Sequence, residues 1–260
     1  MNYLTFIAFL LLYLPASAVV AQEKRIRVTK LKPDVYVHTS FNMYGSTLVP
    51  SNGLILNTTD GAVLIDMAWG EAQTEQLLEW ITENLRKPVK MCIVTHAHDD
   101  RVGALALLQR KNIVTFGAPQ TAELTSEQGF GTLASGLPLN QTLTVGNQEL
   151  EVYYPGPGHT SDNVVVWLPR QKVLFGGCLV KDPEAKNLGN IADADLTSWP
   201  GAIQNIQERY SHIKLVVPGH GMWGNDKALL DHTLKLLRKQ QPYYTTKGSA
   251  SDVLPFFSFS

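Results

Sequence analysis

An order of elements that occurs twice constrains this chain most: a hairpin, a helix, a strand, and then a histidine. In the first copy, Leu54 to Leu56 and Ala62 to Ile65 flank Thr59-Asp60-Gly61, a hairpin signal. Glu71 to Lys87 then places Leu77, Leu78, Ile81 and Leu85 on one helical face. Lys90 to Val94 reads as a buried strand arriving at Thr95-His96, with a further helix starting over Val102 to Gln109. In the second copy, Asn163 to Leu168 and Lys172 to Phe175 flank Pro169-Arg170-Gln171. Thr197 or Ser198, followed by Pro200, opens a helix with Ile203, Ile206 and Tyr210 on one face. Leu215 to Val217 runs into Pro218-Gly219-His220. Ile65-Asp66 thus corresponds to Gly177-Cys178, and the second copy is longer by the polar loop Lys181 to Asp195. Arg25 to Thr29 and Val35 to Thr39 add early strands, and Asp226 to Lys239 a final helix. Two facing mixed β-sheets with external helices satisfy this order, an αββα sandwich of the α/β class. Residues 22–241 then form one domain of two pseudo-repeated halves.

The ends read differently. Leu4 to Leu14 is apolar but too short to span a bilayer, and small residues after Pro15 offer cleavage after Ala18 or Ala21. Residues 1–21 are expected to be a signal peptide and the mature protein to be periplasmic, without stable membrane association. Residues 242–260, with Phe256, Phe257 and Phe259, show no readable periodicity. A net charge of −1 and the lack of long basic runs argue against a nucleic-acid partner. The two cysteines sit in unlike contexts. Cys92 lies in an apolar run and reads as a packing residue, whereas Cys178, after two glycines, reads as a more exposed, chemical one. A disulfide between them is therefore not expected.

Thr95-His96-Ala97-His98-Asp99-Asp100 follows a predicted buried strand. In an extended segment alternate side chains share a side, so His96, His98 and Asp100 can converge on a metal. Two imidazoles and a carboxylate suit zinc. The same segment also reads as a polar loop with Asp99 or Asp100 capping a helix. His159 follows Gly156-Pro157-Gly158, Cys178 ends the second hairpin, and His220 sits in Pro218-Gly219-His220-Gly221. All fall just after a strand or in a loop, as a site along one sheet edge requires. His38, His212 and His232 lack such a setting and read as structural or solvated.

The segments HAHDD, GPGHTSDN, GGCLVK, LGN and PGH, in this order, resemble the metallo-β-lactamase family, and the ligand pattern resembles its subclass B1. The resemblance implies two zinc ions per chain, one held by His96, His98 and His159, the other by Asp100, Cys178 and His220. It implies a hydrolase that opens penicillins, cephalosporins and carbapenems with a zinc-bound hydroxide, conferring antibiotic resistance; a monomer is expected. Asp100 would orient that nucleophile and Asn190 polarise the carbonyl. Lys181 would bind the substrate carboxylate, and Met43 and Tyr44 would cover its apolar face from a flap. On residue type alone, Lys181 reads as a solvated loop lysine, Asn190 as a turn residue and Met43-Tyr44 as a hairpin tip. Asp66 and Trp69 read as residues behind the ligands. Glyoxalase-like and ribonuclease-like relatives carry histidine where this chain has Arg101, and a bridging aspartate where it has Cys178. Two other readings remain: a different exported dinuclear-zinc hydrolase, such as a lactonase, and a non-catalytic zinc-binding protein.

Overall fold

The computed structural model describes residues 25–246, with side chains up to residue 240. The expected signal peptide and most of the C-terminal segment lie outside the described residues. Two six-stranded sheets form. The first runs β1 (Arg27–Lys32), β2 (Val35–Tyr44), β3 (Thr47–Thr58), β4 (Gly61–Ile65), β5 (Val89–Ile93) and β6 (Thr115–Phe116), in that spatial order. The second contains β7 (Thr142–Val145), β8 (Gln148–Tyr153), β9 (Val165–Leu168), β10 (Val173–Gly177), β11 (Leu215–Pro218) and β12 (Gly224–Asn225), in the order β12-β11-β10-β9-β8-β7. Both sheets are mixed: β4 pairs parallel with β5, and β10 with β11, among otherwise mostly antiparallel neighbours.

Strand alternation builds three apolar layers, because successive side chains leave opposite faces. Leu54, Leu56, Val63, Ile65 and Ile93 point from the first sheet into the space between the sheets. Val166, Leu168, Val173, Phe175 and Val217 meet them from the second. The intervening positions Ile55, Leu64 and Cys92 face outward under α1 (Glu71–Leu85), α2 (Asp99–Val102) and α3 (Leu105–Arg110). Val165, Trp167, Leu174 and Val216 do the same under α5 (Trp199–Arg209) and α6 (Ala228–Thr246). Each fully buried Leu, Val, Ile or Phe contributes about 1.5–3 kcal/mol relative to exposure. The sandwich is thus the αββα arrangement expected from the repeated order.

The halves correspond element by element. Hairpin β3–β4, helix α1 and parallel strand β5 match hairpin β9–β10, helix α5 and parallel strand β11. Ser198 precedes α5 with Pro200 in its first turn, and Ile203 and Ile206 are buried, as the sequence pattern required. Elsewhere the structure adds or moves elements. The α4 helix (Pro119–Glu127) was not anticipated, because its buried positions are Thr121 and Thr125 and leave no apolar periodicity. The expected helix from Val102 is instead two short helices with Gly103 between them, where a Cβ would collide with Asp99. The final helix spans Ala228–Thr246, starting later and ending later than the expected Asp226 to Lys239.

Candidate metal centre

Every candidate ligand stands at or just beyond the C-terminal end of a strand, or in the loop entering β9. Beyond β5 the chain bends from Thr95 through His98, whose φ of −102° and ψ of 155° precede the α2 turn. His96 and His98 therefore lie on bends, and Asp100 in the helical turn that follows. This corrects the expectation that all three project together from one extended segment. Asp99 and Asp100 occupy the first turn, and His98 is the capping position. Two buried carboxylates hold the loop. Asp66 accepts from Thr95 N (2.7 Å) and Thr95 Oγ1 (2.9 Å), and Asp162 accepts from Ala97 N (3.0 Å).

His96 and His98 meet His159 from the loop before β9. Their rings pack edge to face, with centroids 4.6 Å (His96–His98), 5.0 Å (His96–His159) and 5.1 Å (His98–His159) apart. One ring nitrogen from each lies within 4.8 Å of the other two. His96 Nε2 and His98 Nδ1 are 3.1 Å apart, and the outer nitrogen of His98 lies 3.0 Å from Asp193 Oδ2. Burial, then the neighbouring His98, holds His96 well below the ordinary imidazole range. His159 is lowered likewise, by burial and then by Lys181. Neutral imidazoles are what a metal binds.

The second group is adjacent. Cys178 Sγ lies 3.2 Å from His220 Nε2 and 3.8 Å from Asp100 Oδ2, and Asp100 Oδ2 lies 3.4 Å from His220 Nε2. His96 also falls within 4.8 Å of Asp100 and Cys178, so the two groups abut. Cys178 is only 2% exposed, contrary to the open position expected from its glycine context. Its burial follows from close backbone approach: a Cβ on Gly219 would lie 2.7 Å from Cys178 Sγ and from Arg101 Nη2. Burial pushes the Cys178 thiol up to about 12, against the pull of Arg101. Burial alone would raise the Asp100 carboxyl, yet Arg101 and then His220 hold it well below the carboxylate range. Burial lowers His220 to about 4, and its Nδ1 contacts Pro50 O at 2.7 Å.

Arg101 is the fully buried cation behind the second group. Nη1 donates to Asn52 O (2.6 Å) and Asp66 Oδ2 (3.2 Å). Nη2 donates to Cys178 Sγ and Gly219 O (both 3.0 Å) and forms an ion pair with Asp100 Oδ2 at 2.8 Å. Asp66 is thus a carboxylate behind the ligands, as expected; burial raises it to about 6, with Arg101 the chief opposing influence. Trp69 Nε1 donates to Asp99 Oδ2 at 2.6 Å.

The remaining candidates lie outside the two donor groups. Lys181 Nζ sits over the Trp199 ring, 5.2 Å from its centroid, and burial lowers Lys181 to about 8. Asn190 is exposed, and its Oδ1 accepts from Ala192 N at 3.1 Å, as in a turn. Met43 and Tyr44 are 48% and 39% exposed at the tip of the β2–β3 hairpin, where Gly45 takes a φ of +60°. Asp193, Asp162 and Arg101 carry contacts that sequence reasoning did not assign, since no periodicity marks a side chain reaching across the fold. His38 is buried as a structural residue, and His232 reaches Ala185 O at 2.9 Å.

The donor chemistry fits zinc: three imidazole nitrogens in one group, and a carboxylate, a thiol and an imidazole in the other. A sandwich carrying such paired donor groups on one edge defines a metal-dependent hydrolase scaffold. The chain belongs to the metallo-β-lactamase superfamily, whose family model matches residues 46–241. It is 46% identical over 213 residues to a metallo-β-lactamase type 2 of Bacillus sp. (strain 170), covering 82% of each chain. It is 38% identical over 215 residues to the type 2 enzyme of Bacteroides fragilis, covering 82% of this chain and 86% of that one. Among solved structures, a metallo-β-lactamase from Pontibacter korlensis superposes with a TM-score of 0.81 at 54% identity, covering 83% of this chain and all of that one. FIM-1 from Pseudomonas aeruginosa, solved in a mono-zinc form, gives 0.76 at 36% identity, covering 83% of this chain and 96% of that one.

Proposed function

We propose that this protein hydrolyses the amide bond of β-lactams, carbapenems included, with two zinc ions held by the two donor groups. His96, His98 and His159 would hold one ion, and Asp100, Cys178 and His220 the other. The abutting of these groups at one edge of the sandwich carries the reading, and the type 2 metallo-β-lactamase relatives support it. Zinc bound there supplies Lewis-acid activation of water and of a carbonyl at neutral pH.

The chain's own residues supply the rest. Asp100, kept ionised by Arg101, orients the attacking water through its carboxylate. Lys181 offers an ammonium to the substrate carboxylate. With the Asn190 oxygen engaged by Ala192, its amide nitrogen is the end left to donate to the substrate carbonyl. Met43 and Tyr44 offer apolar cover from the hairpin tip. The amine nitrogen released on ring opening takes a proton from solvent.

The protein acts as a monomer exported to the periplasm through residues 1–21; among the described residues no helix is long and apolar enough to cross a membrane. The test mixes the mature protein with a cephalosporin and a carbapenem, with and without a chelator. Ring opening of both, abolished by chelation and restored by zinc, is expected. Activity that survives removal of all metal would end the proposal, and zinc binding without turnover would favour a storage role.

A further inference from the structure

The loop that follows Cys178 is tied to the last helix by two consecutive residues. Thr233 Oγ1 accepts the backbone N–H of Lys181 at 2.9 Å, and His232 Nε2 lies 2.9 Å from Ala185 O. Thr233 is fully buried, and its hydroxyl donates to Leu229 O at 2.8 Å, one turn back along α6. A buried helical threonine satisfies its own donor in that way without any tertiary role. What the local pattern does not require is the second bond, in which the oxygen lone pair receives the amide of a residue 52 positions away. Because the hydroxyl hydrogen is committed to Leu229, the oxygen is left as a fixed acceptor facing Lys181.

The surroundings make this tie matter. Between Lys181 and Ala192 several other hydrogen bonds close on the loop itself: Ala185 N to Asp182 O, Gly189 N to Asn187 Oδ1, and Ala192 N to Asn190 Oδ1. The bonds of Thr233 and His232 tie its first part to α6, alongside the packing of Ala185 and Leu188 against the apolar layer there. The other end of the Lys181 side chain rests on Trp199, whose Nε1 donates to Leu179 O at 2.9 Å. The backbone of Lys181 is therefore set by α6, and its ammonium by the first residue of α5.

We propose that Thr233 is a positioning residue for substrate recognition: it fixes the backbone from which Lys181 presents its ammonium to the substrate carboxylate. This rests on the reading of Lys181 given above. The hydrogen bonds of Thr233 go to Lys181 N and Leu229 O and to none of the candidate metal donors, so its effect runs through affinity rather than through the chemical step. Losing one such hydrogen bond is expected to cost about two- to tenfold in that affinity.

The experiment compares Thr233→Val, Thr233→Ser and Lys181→Ala in the zinc-loaded full-length mature protein. Steady-state kinetics are measured on a β-lactam with a free carboxylate and on its methyl ester. Valine keeps the volume of threonine and removes the acceptor; serine keeps the acceptor. Thr233→Val should raise KM for the acid with a smaller change in kcat, leave the ester nearly unaffected, and be reversed in Thr233→Ser. Lys181→Ala should show the same selectivity more strongly. If Lys181→Ala discriminates acid from ester while Thr233→Val does not, the positioning role is overturned and the lysine reading stands. If Lys181→Ala fails to discriminate, the lysine reading fails, and this inference with it. Equal losses on acid and ester in a folded Thr233→Val would show a general structural role and also overturn it.

Discussion

Arg101 donates to the sulfur of Cys178 at 3.0 Å while the same nitrogen lies 2.8 Å from Asp100. A second contact, from Nη1 to Asp66, makes this guanidinium the shared partner of two buried carboxylates. Removing it leaves those charges without compensation, which is more costly than losing the pair as a whole. Arg101→Met should destabilise the metal-free protein by about 3–5 kcal/mol, measured by urea unfolding. A loss below about 1 kcal/mol would show that the carboxylates simply take up protons.

Acid should unfold the protein partly through His38. Burial lowers this ring to about 4 from 6.5 in the folded state, so between those values the unfolded chain binds a proton that the folded chain refuses. Stability is full above pH 6.5 and falls as pH drops toward 4, by about 1.4 kcal/mol per pH unit for this one group. His96, His159 and His220 act in the same direction. His38→Gln should therefore flatten the pH dependence of unfolding in chelated protein without abolishing it. An unchanged slope would remove His38 from the account.

The two thiols are free and lie in different layers, Cys92 under the helices of the first half and Cys178 in the metal centre. Alkylation of unfolded, unreduced protein should add two groups; a mass two protons light without alkylation would reveal a disulfide. In the folded, metal-free protein Cys178 should react before Cys92, though slowly, because its thiol is pushed up to about 12. A thiol must lose its proton to bind metal, so affinity at this group should rise with pH. Zinc competition at two pH values measures it.

Lys181 gives a pH signature to substrate binding. With its ammonium lowered to about 8 by burial, the charge is present below that value and lost above it. KM for a carboxylate-bearing substrate should rise as pH passes about 8. A charge-assisted hydrogen bond contributes about 1.5–3 kcal/mol, so Lys181→Ala should raise KM by roughly tenfold or more and lose that pH dependence. A variant that keeps the wild-type profile would place the titration elsewhere.

Where side chains follow a period, the elements are legible in the sequence. Ile203 and Ile206 marked α5, and the strand runs ending at His96, Cys178 and His220 marked the edge on which the site sits. The α4 helix escaped because Thr121 and Thr125, rather than leucines, fill its inner face. Asp100 differs in local geometry because nothing in HAHDD announces the bends over Thr95 to His98 or the helical turn at Asp99. Asp162 and Asp193 were invisible for another reason. Their partners, Ala97 and His98, lie 65 and 95 positions away, and only the folded sheets bring such groups together.

Each donor group draws on both halves of the sandwich. His96 and His98 come from the first and His159 from the second; Asp100 comes from the first and Cys178 and His220 from the second. A metal bound to either group would therefore act as a clasp across the seam between the two halves. Without it, that edge of the seam relies on protein bonds such as Asn52 N to Gly219 O at 2.8 Å. Ligand that binds only the closed form adds about 4 kcal/mol at a thousand times its dissociation constant. The free metal level would then set how often the halves part, and with it how long a molecule survives proteases in its compartment.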